Sequence, residues 1–326
     1  MGKLPFERDK RKRLVRHDAA TSEKYGCDPD KRPIQELLEY GIVNLDKPAG
    51  PTSHQVSSYV QKILKLRKSG HSGTLDPGVT GVLPVALGRG TRIVQSLLIA
   101  GKEYVCLMRL HEERSRDQVE RVLKEFTGRI RQMPPVKSAV KRQWRWRKVY
   151  YNELLDHQGA DVLFKVGCQA GTYIRKLAHD MGSALGCGAH MQELRRTKAG
   201  PFKEDSLVTL HDLTDAYAFW KEEGDEGRLR EAVQPVERAV SHLPRVAILD
   251  TTADALCHGA TLKVRGIAWA DDEVQPEDHV AVVTLKGELV CVGEARLASK
   301  DMVEKESGVA VKSTQVFMRP GTYPKA

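Results

Sequence analysis

An α+β architecture in two parts is what this sequence predicts: a larger domain of intermixed strands and helices, then a small, mostly β domain. Three observations carry the prediction. Up to Pro235, apolar spacings of two and of 3.6 alternate irregularly, with connecting loops too uneven for repeated βαβ units. After Pro235 helical spacing gives way to short apolar runs separated by turns. The chain has 326 residues, enough for one large domain and a smaller one.

The elements follow in order. Residues 1–35 are polar and charge-rich with a few apolar anchors, and read as an arm, either disordered or laid against another domain. A strand begins at Gly41-Ile42-Val43-Asn44-Leu45, and Pro48, Gly50 and Pro51 fix the turn that closes it. Thr52 or Ser53 can cap the next helix, whose apolar positions are Val56, Tyr59, Val60, Ile63 and Leu64. A glycine-punctuated loop occupies 69–81, and 82–87 reads as a strand or a helix edge. Residues 102–110 read as a strand, and Val119, Val122, Leu123 and Phe126 mark a second amphipathic helix. Strands are expected over 146–155 and 162–168, then a third helix on Ile174, Leu177, Ala178, Met181 and Leu185. Short strands at 246–249, 261–264, 280–285 and 289–292 make roughly 246–326 a β domain of barrel-like type. No repeat of fixed period stands out.

Composition narrows the function classes. No apolar run reaches the length of a membrane span. Residues 1–6 have no apolar signal core, and Phe6 stands where a myristoylation signal needs Ser or Thr. Six scattered cysteines without a C-x-x-C pair read as reduced thiols of an intracellular protein. Cys187 and His190 have a metal-like spacing, but no second pair completes a zinc site, so no metal is expected. A net charge of +9 favours a polyanionic partner without naming one. More telling, Lys137, Lys141, Arg142, Arg145, Arg147 and Lys148 fall together with no acid among them, and Trp144 and Trp146 are interleaved, making the six cations RNA-binding candidates.

The densest segment for chemistry is Gly70-His71-Ser72-Gly73-Thr74-Leu75-Asp76-Pro77, continued through Gly78, Gly81 and Gly88. Pro77 forces Asp76 out of helical geometry, so its carboxylate is held on a stiff loop, either as a functional group or as the acceptor in a structural turn. The run matches neither phosphate-binding glycine pattern. A second segment, Gly171-Thr172-Tyr173-Ile174-Arg175, closes a strand and opens a helix. An arginine beside a carboxylate would hold it ionised, whereas on an open surface the pair would mean little. Tyr104, in Lys102-Glu103-Tyr104, is open to the same two readings.

Together these segments resemble the archaeal and eukaryotic RNA-guided pseudouridine synthases, the catalytic subunits of box H/ACA ribonucleoproteins, relatives of the bacterial enzyme that modifies the tRNA T-loop. The likeness covers almost the whole chain: residues 41–54, the GHSGTLDP run and its continuation to Gly88, 101–105, 147–151, 171–175 and 194–202. It implies a catalytic domain on a mixed, mainly antiparallel sheet at about 36–245. A small PUA RNA-binding domain at 246–326 would follow, with arm 1–35 packed on it. By resemblance Asp76 is the essential carboxylate, Tyr104 stacks on the target base, Tyr173 helps remove the C5 proton, and Arg175 pairs with the aspartate. Lys47 and His71 fall on loop-supporting or RNA-contacting positions, and Leu194 on the uracil pocket. Segment 109–118 falls on a flexible thumb loop, with wording unlike the stand-alone tRNA enzyme. The implied partners are a box H/ACA guide RNA, substrate RNA and the Nop10, Gar1 and L7Ae proteins, with no membrane. The implied location is intracellular, and cytoplasmic in an archaeon.

Uridine and pseudouridine are isomers, so the stoichiometry calls for no cofactor, metal or phosphate donor. The carboxylate either attacks C1′ or abstracts a ribose proton to give a glycal-like intermediate, and both routes need it deprotonated. Two other readings stand beside this one: a guide-independent tRNA uridine-55 synthase, and a catalytically silent RNA-binding scaffold.

Overall fold

The computed structural model describes residues 2–7, 11–134 and 141–325; Lys137 of the basic cluster lies outside them. The first part of the chain runs β1 (Arg13–Val15), α1 (Ile34–Glu39), β2 (Gly41–Lys47), α2 (Ser53–Ile63), β3 (Ser69–His71) and β4 (Thr80–Leu87). It continues with α3 (Val94–Leu98), β5 (Lys102–Leu110), α4 (Arg116–Glu125), β6 (Gly128–Gln132), β7 (Arg145–Gln158) and β8 (Asp161–Cys168). Next come α5 (Ile174–Ala184), β9 (Ala189–Ala199), β10 (Phe202–Lys203), α6 (Leu210–Glu223), α7 (Gly227–Ala232) and β11 (Gln234–Pro235). The remainder is β12 (Arg245–Ile248), α8 (Asp250–Cys257), β13 (Leu262–Lys263), β14 (Ile267–Asp271), β15 (His279–Val283), β16 (Leu289–Ala295), α9 (Ser299–Glu304) and β17 (Val309–Val316).

A ten-stranded sheet has the order β11-β2-β4-β9-β5-β8-β7-β6, with β10 beside β9 and β3 beside β4. Among the described residues its pairings are antiparallel except β4 with β9. The smaller sheet runs β1-β14-β12-β15-β16-β17-β13, with β12 and β15 parallel. The fold is thus α+β, mixed and mainly antiparallel, with a separate β-rich unit.

Alternation explains how the large sheet is covered. Val43, Leu45, Leu83 and Val85 turn toward α2, α6 and α7, joining Val56, Val60, Leu213 and Leu229. Ile42, Val82 and Ala86 turn the other way and meet Ala247, Ala281, Val283 and Leu289 of the smaller sheet. The central strands β2 and β4 are therefore buried on both faces, which is why they read as near-continuous apolar runs. Helices α4 and α5 cover the far half through Val119, Val122, Leu177 and Met181.

Four expectations change. The glycine-punctuated loop runs over 72–79, because 69–71 and 80–81 pair as strands. Residues 82–87 are strand, not a helix edge. Thr52 takes the capping role for α2 in a box closed by Gln55, which frees Ser53 for another bond. Segment 109–118 is a loop only at 111–115. Arg109 and Leu110 end β5, residues 111–115 connect, and Ser115 with Gln118 caps α4.

The arm divides its contacts between both sheets. Leu4 is fully buried and Glu7 lies 3.1 Å from Lys198 and 3.3 Å from Lys203 on the larger one. Arg11 then bonds the His242 and Leu243 carbonyls, β1 adds an edge to β14, and Ser22 and Cys27 donate to Asp250 and Glu288.

Candidate active site

The carboxylate of Asp76 rides on the loop between β3 and β4, and the loop is fixed by groups other than that carboxylate. Ser53, at the start of α2, accepts from the Leu75 amide at 2.8 Å and donates to the Leu75 carbonyl at 3.1 Å. Lys47, fully buried at the end of β2, donates to the carbonyls of Pro48 (2.8 Å), Pro77 (3.0 Å) and Val79 (2.8 Å). The Gly50 amide adds a bond to Pro77 at 2.9 Å. Among the described residues no backbone N–H reaches the Asp76 carboxylate; its partner is the Arg175 guanidinium. The structural-turn alternative therefore loses its expected bond. Both side chains of the pair are about half exposed, 54% for Asp76 and 52% for Arg175, so the pair opens onto the surface.

Arg175 arrives on the first turn of α5, and the entry to that helix is held by a buried glutamine. Gln132 of β6 accepts from the Tyr173 amide (3.1 Å) and donates to the Tyr173 carbonyl (3.2 Å). Tyr173 and Arg175 thus leave the same anchored junction, with Tyr173 half-buried.

Tyr104 stands on β5 directly opposite Arg196 of β9, and Cys106 opposite Leu194, which places Tyr104 and Leu194 two rungs apart. Both pack at the margin of the core under α5. Burial pushes the Tyr104 phenol up and Arg196 opposes that shift, so the ring stays a neutral phenol at physiological pH. Arg196 is 1% exposed and donates to the Val82 carbonyl at 2.7 Å. Burial lowers Lys47 too, followed by the charge of Arg196, while Asp76 pulls it back toward the protonated form. His71 is half-buried and packs edge-on to His54 at 6.5 Å. Burial, then His54 and Arg196, lowers its pKa, keeping it neutral beneath the loop.

The basic cluster is split. Arg147 turns inward to bond the Gly171 carbonyl at 3.1 Å, bracing the turn that leads to Tyr173. Lys141, Arg142 and Lys148 are exposed, and Arg145 is half-buried. His190 bonds His111 at 3.1 Å, and among the described residues no group of three metal-ligating side chains forms. The six cysteines are unpaired. No helix among the described residues is long and apolar enough to cross a membrane.

Arg196 and Gln132 were not singled out from sequence, and Ser53 only as a possible helix cap. Alternation offered one clue: of the adjacent Arg195 and Arg196, one had to face each side of β9. Arg195 meets Asp46 (3.0 Å) and Glu204 (2.6 Å) at the surface, and Arg196 goes inside.

Four family models tile the chain: the DKCLD (NUC011) domain over 2–57, the TruB family pseudouridylate synthase N-terminal domain over 61–120 and 111–174, the tRNA pseudouridylate synthase B C-terminal domain over 175–241, and the PUA domain over 244–317. A probable tRNA pseudouridine synthase B of Methanopyrus kandleri is 55% identical over 99% of this chain and 96% of its own. Its counterpart in Pyrococcus abyssi is 56% identical over 97% of this chain and 95% of its own. Among solved structures, a chain of a Cbf5-Nop10-Gar1 complex superposes with a TM-score of 0.95 at 54% identity, covering 99% of both chains. A chain of an H/ACA RNP bound to a substrate RNA containing 2'-deoxyuridine gives 0.93 at 52% identity, again over 99% of each. Fold and matches define the class, an isomerase built as a pseudouridine synthase core with a PUA domain. Within that class, the chain belongs to the TruB-related pseudouridine synthase family, in its archaeal Cbf5-like branch.

Proposed function

We propose that this chain isomerises specific uridines, chiefly of ribosomal RNA, as the catalytic subunit of a box H/ACA guide ribonucleoprotein. The observation that carries the proposal is the Asp76 carboxylate on a loop pinned by Lys47 and Ser53, meeting Arg175. The target nucleotide leaves its stack and Tyr104 replaces the lost stacking. Asp76 acts on the ribose, either at C1′ or by taking a ribose proton; the C1′–N1 bond breaks, the uracil turns, and C5 bonds C1′. Leu194 helps keep the detached base in place, and Arg175 pairs with the carboxylate and holds its position. The C5 proton then leaves through Tyr173, directly or by way of water. Lys47 and His71 support the loop. No atom or electron is gained or lost, so the reaction itself calls for no cofactor.

On this reading residues 36–245 form the catalytic domain, 246–326 the PUA domain, and 1–35 the arm. Lys141, Arg142, Arg145 and Lys148 contact RNA phosphates. The structures this chain resembles contain Nop10, Gar1 and substrate RNA, which supports the same partners here; L7Ae follows from the family resemblance alone. An intracellular, cytoplasmic location fits the archaeal relatives. A tRNA-directed activity is a second reading, favoured by the description of the Methanopyrus and Pyrococcus relatives as probable tRNA pseudouridine synthases.

Asp76→Asn tests the assignment. Single-turnover conversion of a guide-paired target should fall by about 10³-fold or more, while RNA affinity stays within about threefold. Appreciable conversion by that variant would remove Asp76 from the chemistry. Running the assay on unmodified tRNA, with and without guide and accessory proteins, separates the two substrate readings.

A further inference from the structure

Strand alternation divides β6 and β7 into two faces. Ile130 and Val149 point into the core beneath α4 and α5, and Arg147 turns to the same side to reach Gly171. Arg129, Arg131, Trp146 and Lys148 alternate with them and occupy the opposite face, away from α5 and its Arg175.

That face carries an aromatic–cation ladder. Trp144 and Trp146 are 54% and 51% exposed. The Arg131 guanidinium lies 4.9 Å from the centre of the Trp144 ring, and that of Arg129 4.3 Å from Trp146. In register Arg131 stands opposite Trp146 and Arg129 opposite Lys148. Each arginine therefore leans one same-face position toward residue 144, so that Arg131 covers Trp144 and Arg129 covers Trp146. Lys148 continues the row over the Tyr150 ring at 5.9 Å. Among the described residues, none of Arg129, Arg131 and Lys148 has an acidic partner.

Two half-exposed indoles beside three cations that lack counter-charges make a poor surface to leave to water. A polyanion with ring faces supplies what each group lacks. Guanidinium groups held flat on indoles present fixed donors to phosphates, and indole surface stacks on bases. Two residues apart on one strand, Arg129 and Arg131 are separated by about 7 Å, a step comparable with that between successive phosphates of an extended strand.

We propose that this ladder is a second RNA-docking surface, for unpaired RNA, on the sheet face opposite the Asp76–Arg175 pair. It rests on the reading of the chain as an RNA-modifying enzyme but fails separately from it, since the carboxylate is tested by turnover and the ladder by binding.

The test uses the full chain and a fluorescein-labelled oligouridine of about twenty nucleotides, with a duplex of equal length as comparison. Replacing both tryptophans by leucine (W144L/W146L) should weaken oligouridine binding about tenfold or more. Replacing both by phenylalanine should restore it to within about threefold, because the stacking face is kept. Arg129→Gln with Arg131→Gln should lower the salt slope of binding by about 1.4, two phosphate contacts' worth for a single strand. A 5-iodouridine probe should cross-link to Trp144 or Trp146. Unchanged affinity in the leucine pair without a cross-link overturns the proposal. Equal losses in the leucine and phenylalanine pairs, at unaltered melting temperature, overturn the stacking role. Sensitivity of duplex binding alone would assign the face to paired RNA instead, and that too overturns it.

Discussion

A lysine with no exposed surface is destabilising unless its ammonium is fully bonded. Lys47 meets that condition with the three carbonyls of Pro48, Pro77 and Val79, two of which follow Asp76 in the loop between β3 and β4. The residue thus converts β2 into a tether for the carboxylate. Lys47→Met leaves those acceptors without their charged donor, and the expected loss is about 2–4 kcal/mol of stability. A drop in urea midpoint at unchanged slope would show it, accompanied by slower single-turnover conversion and near-normal RNA affinity. A variant as stable and as active as the parent would mean that the loop holds itself. Sequence had pointed to Lys47 only by resemblance. Its partners are backbone oxygens, which no side-chain pattern announces, and the same holds for Ser53 against Leu75 and Gln132 against Tyr173.

Between elements, the parallel seam of β4 with β9 sets how closely the carboxylate loop approaches Tyr104. Gly81 stands opposite Arg196 in that seam with φ +101°, and a Cβ there would lie 2.2 Å from the Arg196 carbonyl oxygen. Gly78, in the same glycine-rich run, has open space around its would-be Cβ. Gly81→Ala should therefore cost more than about 2 kcal/mol, and Gly78→Ala less than about 0.5 kcal/mol. Paired thermal melts decide it, and equal shifts would refute the seam argument. The glycine loop was legible over 72–79, where Gly, Pro and Asp punctuate so strongly, though not its strand-paired ends; which glycine is irreplaceable depends on a strand more than a hundred residues further along. Likewise the Thr52–Gln55 capping box and the periodicities of α2, α4 and α5 are local, and sequence located those helices. The thumb placed at 109–118 by resemblance is loop only at 111–115, and the pattern missed was Ser115 with Gln118, already a helix start.

Across the whole molecule, arm, sheet and second domain meet around His242, and acid should loosen that joint. His242 is 9% exposed, with the Phe6 ring 5.8 Å away and Arg11 donating to its carbonyl at 2.8 Å. Burial first, then the charges of Arg11 and Lys102, lowers its pKa to about 4 from the ordinary 6.5. Between those values the unfolded chain binds a proton that the folded chain refuses, so stability is complete above pH 6.5, declines as pH falls toward about 4, and stops declining below. The span corresponds to roughly 3 kcal/mol. Glu7 then takes over. Burial opposes its ionisation, but the Leu4 amide, Lys198 and Lys203 outweigh burial and hold its pKa below the ordinary 4.5. Its contribution is present above 4.5 and is lost as pH falls through the lowered value. Urea midpoints measured from pH 7.5 down to about 2.5 should fall in the parent and fall less in His242→Phe; Glu7→Gln should keep the first decline and flatten the second, seen below 4.5. Parallel profiles for parent and His242→Phe would show that the joint does not titrate at His242. Hydrogen exchange at pH 4.5 adds the spatial readout, with amides of residues 11–16 expected to open before those of β2 and β4, because the arm is bound by a short edge strand and a few bonds whereas those strands are buried on both faces.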